Sequence, residues 1–276
     1  MQKKILLIHP YFGKGGAEKG IKKLSKFLVK EGFLIYIFCL KLNYNQENKL
    51  NNIFFIKSPS RRIISSLFTF LKLILVNKFE IIIPMQSPSI SFYTPIVFLV
   101  NLAKNKKMKI ASFERLSPKI FYKSGRLRIL RKIAYLLSLR LSDCLLTNSL
   151  EQLSHYKNQF PKKNSFYIPN SSSTRHLGNE IIQRNNYDNH KINKIWWLGR
   201  LENIKDPLLA IETMQYLNEK YYLNIFGSGS LLNKINKQIC SKKLTNRVSI
   251  LSNNNELNLC EYDLILHTSY YEGLPN

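Results

Sequence analysis

The chain opens with a short apolar run, "KKILLIHP", a glycine-rich turn, and then "AEKGIKKLSKFLVK", whose apolar residues recur every three or four positions. Apolar runs of about four to eight residues bounded by turns predict buried strands, and the 3.6-residue period predicts an amphipathic helix. The alternation continues through "FLIYIFCL", "IFFIKSP", a long apolar helix from Ser60 to Asn77, and "EIIIP". After these come "MKIAS", a helix around "RLRILRKIAYLLSLR", "DCLLTNS", a short helix and "SFYIPN". Strands separated by helices predict a parallel sheet covered on both faces, so residues 1–170 read as one doubly wound, Rossmann-like domain.

Residues 171–193, "SSSTRHLGNEIIQRNNYDNHKIN", are polar and aperiodic and read as a linker. A second alternation fills residues 194–276: "KIWWLGR", a helix opening at "DPLLAIETM", "YLNIFGSG", a helix in "SLLNKINKQICSKK", "RVSIL" and "YDLILHTS". The pattern stops just after a strand. The second Rossmann-like unit therefore reads as incomplete, within an α/β fold class of two doubly wound parallel-sheet domains.

The length of 276 residues accommodates two such domains. Charge changes the picture more: 42 Lys and Arg against 17 Asp and Glu leave +25, which favours phosphate-bearing partners. A bias toward lysine, asparagine and isoleucine accounts for part of this excess, and no long block of consecutive like charges forms a nucleic-acid-binding tail. Cys39, Cys144, Cys240 and Cys260 form no CxxC pair and are expected as buried free thiols of a reducing cytosol. The apolar part of the opening run is too short for a signal peptide, and "IISSLFTFLKLILV" (63–76) and "PSISFYTPIVFLVNLA" (88–103) fall short of a membrane span. The first of these, flanked by Arg61, Arg62 and Lys78, fits either a buried helix or one lying on an anionic lipid surface.

Four strand ends carry groups suited to an anion. In "HPYFGKGGAEKG", Gly13, Gly15 and Gly16 allow close backbone approach before a helix with Glu18 in its first turn, although neither the Walker spacing nor GxGxxG is present. In "LGRLENIKDPLLA", Arg200 ends a strand, Asp206 caps the next helix and Pro207 suits its first position, which holds Lys205 just outside. Two cations above the carboxyl edge of a sheet suit a diphosphate. In "NIFGSGSLL", Gly227 and Gly229 bracket Ser228 after a strand, and at the end Glu272 precedes Gly273 and Leu274, where a carboxylate can accept bonds from sugar hydroxyls. The aspartates are Asp143, Asp188, Asp206 and Asp263, so no DxD exists to hold a divalent metal, and the histidines lack zinc-site spacing.

"GRLENIKDP", "NIFGSGSL" and "SYYEGLPN", in this order, resemble the donor-binding domain of glycosyltransferase family 4, and "GGAE" with "YIPNS" resembles that family's acceptor domain. "SFERLSP" (112–118) is similar to a "SERNDP" segment of members that build bacterial surface polysaccharides. The resemblance implies a GT-B fold and a metal-independent, cofactor-free, retaining hexosyltransferase that moves a sugar from a nucleotide sugar, UDP-linked by expectation, to a saccharide or lipid-linked acceptor. It implies that Arg200 and Lys205 hold the departing diphosphate and that Glu272 binds the donor sugar, these three forming the catalytic set. Gly273 and Leu274 would assist through their amides, with Gly15, Gly16, Gly227 and Gly229 lining the substrates. The second glutamate of the family's paired-glutamate signature falls past Asn276, so the chain reads as a C-terminally truncated member whose activity is expected to be impaired.

A cytoplasmic enzyme follows, with peripheral association to the inner face of the cytoplasmic membrane as a further expectation and no specific nucleic-acid partner. The competing reading is a non-catalytic basic protein that binds nucleic acid, a membrane or a complete enzyme; the absence of an aromatic and basic recognition motif counts against its nucleic-acid form. His155, Glu114 and Arg115 are further polar residues for an acceptor side, although residue type alone favours structural roles.

Overall fold

The computed structural model describes residues 2–13, 16–42, 51–105, 107–115, 127–170, 193–251 and 262–270. Backbone contacts divide the chain into two compact units, one spanning 1–172 and the other 173–271.

In the first unit the elements run β1 (Lys4–Ile8), β2 (Tyr11–Phe12), α1 (Gly16–Lys30), β3 (Leu34–Cys39), β4 (Lys41–Leu42), β5 (Ile53–Lys57) and α2 (Ile63–Val76). They continue with β6 (Ile81–Pro84), α3 (Gln86–Lys104), β7 (Lys109–Glu114), α4 (Arg128–Leu141), β8 (Cys144–Thr147), α5 (Leu150–Gln159) and β9 (Asn164–Tyr167). Seven strands form one parallel sheet in the order β5-β3-β1-β6-β7-β8-β9. The order reverses between β1 and β6, and the carboxyl ends flanking such a reversal form the crevice where open α/β sheets take ligands. β2 and β4 make a separate two-stranded pair that the sequence pattern does not predict, because two residues carry no period.

Alternation along the strands sends side chains to two cores. Ile5, Leu7, Ile35 and Ile37 pack with Ile21 of α1 on one face. Leu6, Ile8, Phe38, Ile82 and Ile110 pack with Phe70 and Ile74 of α2 and with Tyr93 and Val97 of α3 on the other. Phe70 and Tyr93 meet edge to face at 4.7 Å, and the Tyr93 hydroxyl shares a 2.6 Å hydrogen bond with Ser66, so its polar end is satisfied inside the core. Full burial of a ring such as Phe70 contributes about 1.5–3 kcal/mol. Pro95 lies inside α3 and lacks the N–H that Ser91 O would otherwise accept; the Ser138 hydroxyl of α4, which donates to Ala134 O at 2.8 Å, lies 3.4 Å from that carbonyl.

The second unit comprises β10 (Lys194–Leu198), α6 (Pro207–Thr213), β11 (Tyr222–Phe226), α7 (Leu232–Ser241), β12 (Val248–Leu251) and β13 (Leu264–Ile265), with parallel strands in the order β12-β11-β10-β13. Ile195, Trp197, Leu223 and Ile225 bury against Ile211 of α6 and Ile235 and Ile239 of α7. On the opposite face Tyr262 lies against the rings of Trp196 and Phe226.

Of the two placements open for α2, full enclosure is not the one found: Ser66, Phe70 and Ile74 face inward, but Ile64, Phe68 and Val76 are exposed. Two expectations are corrected. Cys240 is exposed rather than buried, because the period of α7 turns Ile235 and Ile239 inward and leaves position 240 outside; Cys39 is buried and Cys144 half-buried, all three as free thiols. The apolar run before position 270 forms only a two-residue strand with exposed side chains, because the chain turns away to bond the loop before α6.

Candidate active site

At the carboxyl edge of the second sheet, three strand ends lie side by side. β10 leads into Gly199–Asp206, β11 into Gly227–Ser230, and β13 into His267–Tyr270. The first two loops are laced through backbone: Gly199 N donates to Phe226 O (3.0 Å), Leu201 N to Ser228 O (2.9 Å) and Leu231 N to Leu201 O (2.9 Å). This contact explains the glycines. A Cβ at Gly227, whose φ is +156°, would sit 1.8 Å from Gly199 O, and one at Gly229 would sit 2.5 Å from Leu201 O. Their demonstrated role is therefore close loop-to-loop packing, a reason the sequence reading did not consider for them. Glu202 fastens the same junction, accepting from Ser230 N (3.2 Å) and Ser230 Oγ (2.9 Å), and these bonds hold its carboxyl below the usual range.

The third loop supports the first. Buried Trp197 donates its indole N–H to Thr268 Oγ1 (2.9 Å), and the Thr268 hydroxyl faces Lys205 O (3.0 Å) and Asp206 O (2.7 Å). Tyr270 N donates to Ile204 O (3.0 Å). Asp206 caps α6 by accepting from Leu209 N (3.2 Å), and Pro207 occupies the first helical position, as the sequence predicts. Unlike most caps, Asp206 adopts φ +45°, a left-handed conformation that aspartate tolerates better than most residues. Its carboxylate also accepts from the Tyr270 phenol, which pushes that hydroxyl's pKa up.

Arg200 and Lys205 emerge from this framework at the two ends of one turn. Partial burial, and then the positive charge of Arg200, push the Lys205 ammonium below the usual lysine range. Two cations at one turn of a sheet edge are an arrangement that can take an anion. Among the described residues no group of three or more His, Cys, Asp or Glu side chains gathers in a way that could hold a metal ion.

The first unit carries a second polar cluster at the carboxyl ends of β1, β7, β8 and β9, and there sequence reasoning saw only part. Arg115, buried just past β7, donates to Ala17 O of α1 (2.8 Å) and to Asn170 Oδ1 (2.9 Å), while Glu114 accepts from Ser87 Oγ (2.6 Å) and Arg115 N (3.1 Å). Burial lowers the Arg115 pKa, and nearby Glu18 offsets part of that. A Cβ at Gly20 would come within 2.5 Å of the Arg115 guanidinium, so the glycine makes room for the clamp on α1. His9 is buried beyond β1, bonded through Nδ1 to Tyr11 O, and burial together with Arg115 pushes its pKa down to about 4. His9 Nε2, Arg115 Nε and Asn148 Oδ1 are all buried with no hydrogen-bond partner. His9 opens the "HPYFGKGGAEKG" stretch but is passed over there for its glycines, and only the spacing of the strand ends could have flagged Asn148.

The structure thus brings Arg200, Lys205, Gly227 and Gly229 to one sheet edge, and carries the chain as far as Tyr270 to that same edge. Gly16 begins α1 in the first unit. Gly15, Glu272, Gly273 and Leu274, and nearly all of 171–193, lie outside the described residues. His155 is an exposed residue of α5 and belongs to neither cluster.

Solved structures share this architecture. TarM superimposes with a TM-score of 0.70 and 14% identity over 99% of this chain and 81% of its own. The lipopolysaccharide outer core galactosyltransferase WaaB, in its apo form, gives 0.68 and 17% over 99% and 76%. Anabaena Alr3699/HepE, in complex with UDP and glucose, gives 0.65 and 14% over 97% and 74%. No family model and no curated protein matches the chain. At these identities the likeness establishes the fold: α/β, GT-B-like, with two Rossmann-like parallel-sheet units.

Proposed function

We propose that the chain is a family 4 glycosyltransferase that moves a hexose from a nucleotide sugar, UDP-linked, to a saccharide or lipid-linked acceptor in the synthesis of a bacterial surface polysaccharide. The observation that carries this reading is the pairing of Arg200 with Lys205 at a carboxyl sheet edge, where burial and mutual repulsion already disfavour the ammonium's charge. A bound diphosphate turns that repulsion into attraction. Support comes from the fold shared with WaaB, named as a galactosyltransferase, and with HepE, which holds UDP and glucose.

In this mechanism the bond between the anomeric carbon and the diphosphate oxygen breaks while an acceptor hydroxyl forms the new bond on the same face of the sugar and gives its proton to the departing diphosphate oxygen. Negative charge grows on the departing oxygen, so fixed cations bind the transition state more tightly than the ground state. Arg200 and Lys205 supply those cations. In this reading Glu272 accepts hydrogen bonds from donor-sugar hydroxyls with the Gly273 and Leu274 amides assisting, and Gly15 and Gly16 bind substrate through their backbone. Gly227 and Gly229 keep the β10 and β11 loops close enough to form one surface. The reaction runs without a metal, consistent with a sequence that has no DxD.

Saturation-transfer NMR of the whole chain with UDP-, GDP- and dTDP-sugars tests the reading. UDP-sugar protons are expected to receive saturation, to lose it on addition of UDP, and to be indifferent to EDTA, with any product keeping the donor's anomeric configuration. Absence of saturation for every nucleotide sugar would refute the proposal.

A further inference from the structure

We propose that the polar cluster at the carboxyl edge of the first sheet binds a neutral sugar ring through its hydroxyls, so that the acceptor ends in an uncharged sugar rather than in a phosphate- or carboxylate-bearing group. Calling that ligand the acceptor rests on the transferase reading; the binding chemistry does not. His9 follows β1, Arg115 follows β7, Asn148 follows β8 and Asn170 lies just past β9, with β6 between the first two strands. The cluster is knit together. Asn170 Oδ1 accepts from Arg115 Nη2 at 2.9 Å and lies 3.4 Å from Asn148 Nδ2, and the Arg115 charge is felt at His9.

Three atoms of this cluster are left over. Among the described residues, His9 Nε2, Arg115 Nε and Asn148 Oδ1 are buried without a hydrogen-bond partner, in residues 2%, 7% and 3% exposed. Their other contacts fix what each can offer. The Tyr11 carbonyl that His9 Nδ1 meets can only accept, so Nδ1 carries the proton and Nε2 presents a lone pair, while burial keeps the ring neutral. Asn148 turns its NH2 toward Asn170 Oδ1, an acceptor, which leaves its own Oδ1 as a second lone-pair site. Arg115 uses Nη1 on Ala17 O and Nη2 on Asn170 Oδ1, so its Nε–H remains as one donor. Native proteins match nearly all such buried atoms, and an unmatched set at the edge where open α/β sheets take ligands points to a ligand that completes it.

The polarity of these atoms selects the ligand. Two lone pairs and one N–H require a partner that donates twice and accepts once. An ionised carboxylate or phosphate has no proton to give and would face both lone pairs, whereas adjacent sugar hydroxyls each donate and accept. Charge agrees: the Arg115 guanidinium already has the buried Glu18 carboxylate near it, so no anion is needed to balance it. The backbones of positions 9 and 148 stand three strand spacings apart, each about 4.8 Å, which suits a ring with several hydroxyls better than one compact ion or water. Pro10 and Asn170 are half-buried and Tyr11 is exposed, so solvent lies one residue layer away. The reacting hydroxyl gives its proton to the departing diphosphate, so His9 and Asn148 hold its neighbours on the ring.

The test is nitrogen NMR of the whole chain carrying isotope-labelled histidine, titrated with methyl glucoside, methyl galactoside, glucuronic acid, galacturonic acid and inorganic phosphate. His9→Asn assigns the His9 signals, and exposed His155 serves as an internal reference. The neutral glycosides are expected to move the His9 Nε2 resonance, and the anionic probes to bind at least about fivefold more weakly. His9→Asn keeps an N–H toward Tyr11 O but removes the Nε2 lone pair, and Asn148→Leu removes the other; each should weaken the glycosides about tenfold, the loss of one hydrogen bond, and leave UDP affinity unchanged. UDP that fails to bind while the glycosides still move His9 sinks the transferase reading and leaves this site standing. A His9 resonance that no sugar moves, with only water meeting the three atoms, overturns the proposal even where UDP binds. So do tighter binding of the anionic probes and undiminished glycoside binding by His9→Asn. Circular dichroism confirms that each variant folds, and the parent chain's His9 resonance decides the matter where one does not.

Discussion

Thr268→Val probes how the candidate site is held. The side chains are nearly isosteric, so the substitution opens no cavity and removes only the hydroxyl. That hydroxyl accepts from Trp197 Nε1 at 2.9 Å and faces Lys205 O and Asp206 O at 3.0 and 2.7 Å. Trp197 is 2% exposed, so its indole N–H loses its partner without gaining water, a cost of about 1–3 kcal/mol. The two carbonyls lie on a partly exposed turn, where water replaces the lost bonds at little cost. The second unit should therefore lose about 2 kcal/mol, or about thirtyfold in its folded to unfolded ratio. Urea unfolding followed by tryptophan emission reads this directly, because both tryptophans of the chain sit in β10. UDP affinity should fall as well, since Lys205 and the cap of α6 lose their tether. Thr213→Val is the control: its hydroxyl bonds Leu209 O on an exposed helix face, and its removal should stay within about 0.5 kcal/mol. A midpoint for Thr268→Val no lower than that of the control would refute the reasoning.

Two further predictions concern the loops and the buried histidine. Gly227→Ala forces a methyl toward a backbone oxygen 1.8 Å away, so the β10 and β11 loops must separate; a loss of at least about 3 kcal/mol in the same tryptophan-monitored unfolding is expected, whereas Gly32→Ala, with nothing within 4 Å but a φ of +86°, should cost only about 1 kcal/mol of local strain. His9 is held neutral down to about pH 4 in the folded chain but protonates near 6.5 when unfolded, so the unfolded state binds the extra proton between those values. Stability of the first unit should thus fall as pH drops from 6.5 to 4, by no more than about 3 kcal/mol from this group, and amide exchange in β1 and β3 should show the slope flattened in His9→Asn.

How much of this was legible in the sequence depended on how local each cause is. The main-sheet strands announced themselves as apolar runs, and Asp206, Pro207 and the cations beside them were readable because cap, helix and turn lie within a few residues. What escaped was carried by long-range bonds. Trp197 and Thr268 are 71 residues apart, and Arg115 and Ala17 are 98 apart, so no periodicity connects them. Gly227 and Gly229 were recognised as sites of close approach, but the approaching group is the neighbouring loop's backbone, which only the strand order brings near. The outer face of α2 was ambiguous for a related reason: an all-apolar helix reads alike whether its far side meets protein or a membrane.

The central claim is that Arg200 and Lys205 together form a diphosphate site. Isothermal titration of UDP into the whole chain, and into Arg200→Met, Lys205→Met and the double variant, measures it. Binding by the parent chain, a loss of about 3 kcal/mol (about a hundredfold or more) in each single variant, and loss of detectable binding in the double variant are expected. UDP that binds the double variant as tightly as the parent, or that fails to bind the folded parent at all, would contradict the account.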